Sequence, residues 1–107
     1  MRIAVTIGRN IGNEPMSPGH WQNFQWSVQD RMFLSPEPAV TLTTGVWEGV
    51  AEESATIIGE ARTFDPGSWA HIAAAFKQDA IAVLLPGESH WLLVKSDGTT
   101  EQGWEAS

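Results

Sequence analysis

The stretch Ser-Pro-Gly-His-Trp at residues 17–21 returns as Asp-Pro-Gly-Ser-Trp at residues 65–69. Each copy begins with a residue whose side-chain oxygen can cap a helix, and proline follows at the first helical position. In each copy the tryptophan opens a series of apolar residues at steps of three and four, the pattern of an amphipathic helix. The two copies therefore predict two helices that begin in the same way, each with one face to bury.

Runs of β-branched or apolar residues flank both predicted helices, so strands and helices alternate along the chain. Residues 2–7 alternate between Ile or Val and other side chains, and residues 40–48 and 54–60 are rich in Thr, Val or Ile. Residues 80–85 form a near-continuous apolar run, which is typical of a strand inside a sheet. Residues 49–53 could form a hairpin loop between the two middle strands.

This order of elements predicts an α+β fold. Strand, helix and strand occur twice in succession, which is the ferredoxin-like split βαβ arrangement (βαββαβ), with an antiparallel sheet and two helices on one face. Turn sequences at residues 86–89 and 97–98 add a C-terminal hairpin. We expect one domain over residues 1–107. A doubly wound parallel sheet is the rival architecture, and the apolar run at 80–85 is its best support.

Composition narrows the classes of function. The chain carries 13 acidic and 6 basic residues, a formal net charge of −7, so we expect no nucleic-acid backbone binding, which needs clustered Lys and Arg. The absence of cysteine excludes disulfides, thiol catalysis and Cys-ligated zinc. No apolar run is long enough to span a membrane, and the first residues lack the apolar core of a signal peptide. We therefore expect a cytoplasmic protein without a membrane partner.

Arg9 lies in a glycine-containing loop between the first strand and the first helix. Such loops can hold an anion on backbone N–H groups, and a guanidinium would add charge. The loop lacks the Gly-Lys-Ser/Thr of a phosphate-binding P-loop, so Arg9 in a structural salt bridge is the competing interpretation. His20 follows in the first helical turn, where a cation is poorly placed against the helix dipole. No two histidines have the spacing of metal ligands, so we expect no metal site.

Four glutamates, Glu48, Glu52, Glu53 and Glu60, cluster around the predicted central hairpin, and the first three are the candidate binding residues. Paired carboxylates can share acid–base work, whereas charges along a strand edge often only prevent unwanted pairing. A third interpretation is an acidic surface that docks onto a basic partner and could mimic nucleic acid.

Trp26 stands apart from the apolar stripe of the first helix, about 140° around it by helical geometry. This tryptophan is either exposed as an anchor for a partner or buried under the C-terminal hairpin. Trp47 and Trp91 lie on strands and would place apolar area on the open sheet face. Exposed apolar area of this kind usually finds a partner, so we expect a homodimer.

Several short motifs, taken in order, resemble a family of small uncharacterised bacterial and phage proteins. The resemblance covers about residues 3–85 and departs from the family pattern at Ile7, where an aromatic residue is usual, and in the extra C-terminal hairpin. It implies a ferredoxin-like α+β fold and carries over no activity or catalytic residue. The motifs are Ile7-Gly8-Arg9, Ser17 with Trp21 and Phe24, Gly45 with Trp47, Glu53-Ser54, and Phe76-Lys77-Gln78 ahead of the strand at 80–83.

Two functions from different classes follow. The first is a small acidic protein-interaction module, phage-encoded and acting on a host or defence protein, with no catalytic residue and no cofactor. The second is a small-molecule or nucleotide-binding domain of a dimeric ferredoxin-like fold, which could be an enzyme, with Arg9, His20 and Trp47 lining the cavity. A closed pocket that holds Arg9 beside an aromatic ring would favour the second function, and a filled core would favour the first.

Overall fold

The computed structural model describes residues 1–32, 34–47 and 50–105, and it describes their side chains except at 34–38, 45–47 and 50. The elements in chain order are β1 (Arg2–Gly8), β2 (Asn10–Ile11), β3 (Glu14–Pro15), α1 (Pro18–Asp30), β4 (Leu34–Trp47), β5 (Val50–Glu60), α2 (Pro66–Ala75), β6 (Ala80–Leu84), β7 (His90–Lys95) and β8 (Thr100–Glu105).

Both helices begin where the repeated motif predicts. Ser17 caps α1, and its Oγ accepts a hydrogen bond from the His20 backbone N–H at 3.2 Å. Asp65 caps α2, and its Oδ1 accepts from the Gly67 N–H at 3.1 Å. In each helix proline stands at the start, where its missing N–H costs nothing.

Six of the eight strands form one sheet in the order β4-β5-β1-β6-β7-β8, and every neighbouring pair is antiparallel. The short strands β2 and β3 pair with each other in a separate two-stranded sheet. The first four positions, β4-β5-β1-β6, are the ferredoxin-like arrangement, and the β7–β8 hairpin extends the sheet beyond β6. The predicted fold class is confirmed, and the parallel alternative is wrong. β6 is apolar because it lies between β1 and β7, inside the sheet.

One face of the sheet, here called the covered face, packs against both helices. Its apolar side chains on β1, β5, β6 and β7 are mostly buried and form one core with the apolar stripes of α1 and α2. The members from the sheet are Ile3, Val5, Ile7, Ala55, Ile57, Ile81, Val83 and Val94, and those from the helices are Trp21, Phe24, Val28, Trp69, Ile72 and Ala73. At the β4 edge of this face, Val40 and Leu42 are exposed. The opposite face, here called the open face, carries the alternate residues of each strand. Neither helix packs on it.

The central hairpin differs from the sequence prediction. The loop predicted at residues 49–53 is wrong from Val50 onward, because β5 already begins there and Val50 pairs with Trp47. Glu52 and Glu53 are therefore strand residues. The ladder extends this far because both carboxylates find hydrogen-bond donors in the loop after β1, as described below.

Among the residues that the structure describes, no helix is both long enough and apolar enough to cross a membrane.

Candidate functional site

The carboxyl end of β1 carries a cluster of polar side chains, here called the polar cluster: Arg9, Asn10, Glu52, Glu53 and Gln78. Arg9 is its cation, and its side chain is only 18% exposed. Its Nε donates to the Met16 carbonyl at 2.8 Å, and its Nη1 donates to Glu53 Oε2 at 2.7 Å. Of the two interpretations of Arg9, the structure shows the salt bridge.

Glu52 lies on the open face, directly over Gly8. Its Oε2 accepts a hydrogen bond from the Asn10 backbone N–H at 2.8 Å. A Cβ at Gly8 would stand 2.5 Å from the Glu52 carboxylate, so only glycine leaves room for this contact. Glu52 and Glu53 alternate along β5 and therefore address opposite faces of the sheet, which separates the two carboxylates.

The end of α2 joins the polar cluster. Gln78 Nε2 donates to the Asn10 carbonyl at 3.0 Å. Phe76, at the C-terminal cap of α2, lies 5.4 Å from the His20 ring between centroids and stacks on Phe24 at 4.7 Å. His20 is therefore half-buried against an aromatic ring rather than free in solvent.

This arrangement brings together four side-chain types that bind small polar molecules: a guanidinium, carboxylates, an amide and an aromatic ring. It holds Arg9, His20, Glu52 and Glu53 of the predicted site residues at one end of the sheet. Glu48 lies outside the described residues, and so does the side chain of Trp47. Among the described residues, no three His, Asp or Glu side chains are grouped as metal ligands would be.

Trp26 lies outside this cluster. Its side chain is 60% exposed, so the alternative that placed it under the C-terminal hairpin is wrong. The hairpin extends the far edge of the sheet instead, beyond β6.

Two grooves lie beside α1, and Asp30 and Arg31 line both; Arg62 and Trp69 also line one of them, and Ile72 the other. Neither Arg9 nor His20 lines these grooves. These two grooves therefore do not supply the pocket at Arg9 that would favour the ligand-binding function. The cavity expected around Arg9, His20 and Trp47 stays a prediction.

Sequence reasoning missed the roles of Asn10 and Gln78, since both act through contacts between residues distant in the chain. It also missed the stacked pair of Trp91 and Trp104, whose ring centroids lie 5.6 Å apart. The register shifts near His90, and this irregularity brings Trp104 to the same face as Trp91. The two tryptophans are visible in the sequence as candidates for an aromatic pair, but no sequence pattern predicts the register shift that brings them together.

No family model matches this chain, and no curated protein matches its sequence. The fold is similar to that of a phage SAM lyase solved in the apo state, with a TM-score of 0.53 and 17% sequence identity. The match covers 99% of this chain and 87% of that chain. The similarity extends over essentially the whole fold, and it gives a phage context through that protein alone.

Proposed function

We propose that this chain is a small-molecule-binding domain and that its ligand is S-adenosylmethionine (SAM). The observation that carries this proposal is the match with the phage SAM lyase over nearly the full length of both chains. A match that covers 99% of this chain and 87% of the other makes the two better candidates for a shared ligand than a shared short motif would.

The polar cluster supports a ligand of this kind. SAM carries a positively charged sulfur and an ammonium group, and carboxylates such as that of Glu52 attract such charges. It also carries an adenine ring, which can stack on an aromatic side chain. Phe76 and His20 lie at this end of the sheet on the side of the helices, whereas Glu52 lies on the open face, so a ligand that used both would have to reach around the end of the sheet. Small-molecule sites commonly combine apolar surface with a few convergent polar groups.

Isothermal titration calorimetry with SAM tests the proposal. Glu52→Gln keeps an oxygen that can accept from the Asn10 N–H but removes the charge, so it should weaken SAM binding about tenfold, or 1.4 kcal/mol. Glu88→Gln is the matched control, because Glu88 is exposed in the β6–β7 turn and the change in net charge is the same. S-adenosylhomocysteine lacks the charged sulfur but keeps the ammonium group, so it should bind more weakly than SAM and should respond less to Glu52→Gln.

No binding of SAM at millimolar concentration would contradict the proposal, and so would equal effects of the two substitutions. Turnover is a separate question. A lyase would consume SAM without incorporating oxygen from ¹⁸O-labelled water, which mass spectrometry of the products detects. Binding of SAM without turnover would indicate a binding protein and would contradict an enzymatic function.

A second candidate is the acidic interaction module, a phage-encoded protein that engages a host or defence protein. The exposed Trp26 favours it, since tryptophans at the centre of interfaces often contribute most of the binding energy. The net charge of −7 would attract a basic partner, and that attraction would weaken as salt rises.

The structure changes how this second candidate is tested. Glu52 and Glu53 are tied to the loop after β1, so reversing their charges would disturb the fold as well as any binding. Trp26→Ala is the cleaner variant. Affinity capture from host lysate should yield a basic protein with the parent chain and much less of it with Trp26→Ala. Equal capture by the parent chain and by Trp26→Ala would contradict a role for Trp26 as the anchor.

A further inference from the structure

The open face carries an uncharged stripe that crosses all six strands. Ala4 lies opposite Leu84 on one side and Ile58 on the other, and Ile58 lies opposite Ala39. The β6–β7 register, continued by one residue, places Trp91 beside Leu84, and Trp104 stacks on Trp91. The stripe is Trp104, Trp91, Leu84, Ala4, Ile58 and Ala39.

Of the two neighbouring rows on this face, one holds Arg2 opposite Glu60, and the other is nearly free of charge. Thr6 pairs its hydroxyl with that of Thr56 at 3.0 Å, and Ala82 and Leu93 continue the row towards β8. The charged residue described in this row is Glu101, at the outer strand, and its carboxylate is held by Lys95 Nζ at 2.8 Å.

No described helix or loop covers the stripe, although it holds large apolar groups. Trp104 is 46% exposed, and Trp91, Leu84 and Ile58 are only half-buried. In a chain whose net charge is −7, the stripe itself carries no charged side chain. The charged residues beside it on this face include Arg2 opposite Glu60 and Lys95 paired with Glu101, which are of opposite sign, so two copies can approach here with little like-charge repulsion. A basic partner would instead bind where acidic side chains are exposed, away from the stripe.

We propose that the open face is a self-association surface on which a second copy of this chain packs, sheet against sheet. The stripe is bulky at one end, with Trp104, Trp91 and Leu84, and small at the other, with Ala39. A two-fold axis parallel to the strands sets the bulky end of one copy over the small end of the other. An isologous interface requires this kind of self-complementarity.

The size of the face fits a dimer. With about 4.8 Å between strands and about 3.4 Å per residue, about five residues on each of the six strands present a face on the order of 500 Å² per copy. Two copies would bury about 1,000 Å² in total, the size at which specific interfaces begin. A dimer of micromolar affinity is therefore expected rather than an obligate one.

Sedimentation velocity over a concentration series, from about 1 to 200 μM protein, tests the proposal. The parent chain should shift from one copy to two, reaching twice the chain mass of 11.7 kDa. Leu84→Asp puts a charge in the centre of the stripe and should raise the dissociation constant by at least tenfold. Leu42→Asp is the matched control, since Leu42 is 64% exposed but lies on the side of β4 that faces away from the stripe.

Trp104→Ala provides a second variant in case Leu84→Asp unfolds, which circular dichroism would show. Its exposed ring can be removed without leaving a hole in the core, and its dimer should also weaken about tenfold. A parent chain that stays monomeric at 200 μM would overturn the proposal. So would a dimer that Leu42→Asp weakens as much as the two open-face variants, or a closed assembly of more than two copies.

Discussion

Ile57 and Ile58 are neighbours in β5, and they have opposite surroundings. Ile57 is fully buried on the covered face, among residues of the core, whereas Ile58 is half-buried on the open face. The sequence offers two isoleucines in succession with nothing to distinguish them. What separates them is the packing of α1 and α2 on one side of the sheet only. The covered face therefore determines the stability of one copy, and the open face is available for contact with another molecule.

The largest expected effect tests this contrast directly. Ile57→Ala should lower the free energy of unfolding by about 2–5 kcal/mol, because it leaves a cavity in a filled core. Ile58→Ala should cost about 1 kcal/mol or less in the monomer, since its side chain already meets water. Urea denaturation at a protein concentration below that of dimer formation measures both. Equal losses would mean that the two faces are buried to the same extent.

Gly8→Ala is expected to have a smaller effect, at the polar end of the open face. The new Cβ would displace the Glu52 carboxylate from the Asn10 N–H, because the two would otherwise stand 2.5 Å apart. Loss of that hydrogen bond should cost about 1 kcal/mol, measured by thermal or urea unfolding.

Gly19→Ala is the matched control, since a Cβ at Gly19 meets no atom within 4 Å and the residue is helical. It should leave the stability unchanged or raise it by about 0.4–1 kcal/mol. The double variant Gly8→Ala/Glu52→Ala should lose no more stability than the single variant Glu52→Ala, because the carboxylate that the new Cβ would displace is already absent. A Gly8→Ala protein as stable as the parent would show that the Glu52 contact contributes nothing.

The contrast between the faces also marks what the sequence can predict. The helix starts at Ser17 and Asp65 can be predicted from local chemistry, because a cap depends on residues next to each other in the chain. The buried residues of each helix can be predicted as well, because apolar periodicity is visible within a short stretch of sequence. The antiparallel sheet follows from the order of elements. These features decide the fold, and all of them are local or nearly so.

The polar cluster is harder to predict because its contacts cross long distances in the chain. Arg9 meets Glu53, and Gln78 meets Asn10, through pairings that exist only after the sheet has formed. Glutamates at 52 and 53 are unfavourable in strands by composition, which is why the loop prediction failed there. The contacts that stabilise them were not available to local reasoning.

The smallest expected effect concerns the β7–β8 hairpin, which carries the tryptophan pair of the open face. In its turn, the Thr99 hydroxyl and the Thr99 backbone N–H both donate to Asp97 Oδ1, at 2.6 and 2.9 Å, and they lower the pKa of the Asp97 carboxyl below 3.8. Because this pKa is lower in the folded state than in the unfolded state, the Asp97 carboxylate contributes its full stabilisation of the turn at pH values above its unfolded pKa. This stabilisation is lost as pH falls through the folded pKa.

Acid should therefore loosen this turn before it affects the covered face. Side-chain carboxyl chemical shifts followed by NMR should show the pKa of Asp97 below the usual value of an aspartate, with Thr99→Ala raising this pKa and Thr99→Ser restoring it. Thr99→Ala removes the hydroxyl but keeps the backbone donor, so part of the shift should persist. Over the same pH range, the resonances of Ile57 and Val83 should stay in place, because the hairpin lies at the far edge of the sheet. Movement of those core resonances together with Asp97 would mean that the two faces do not respond independently.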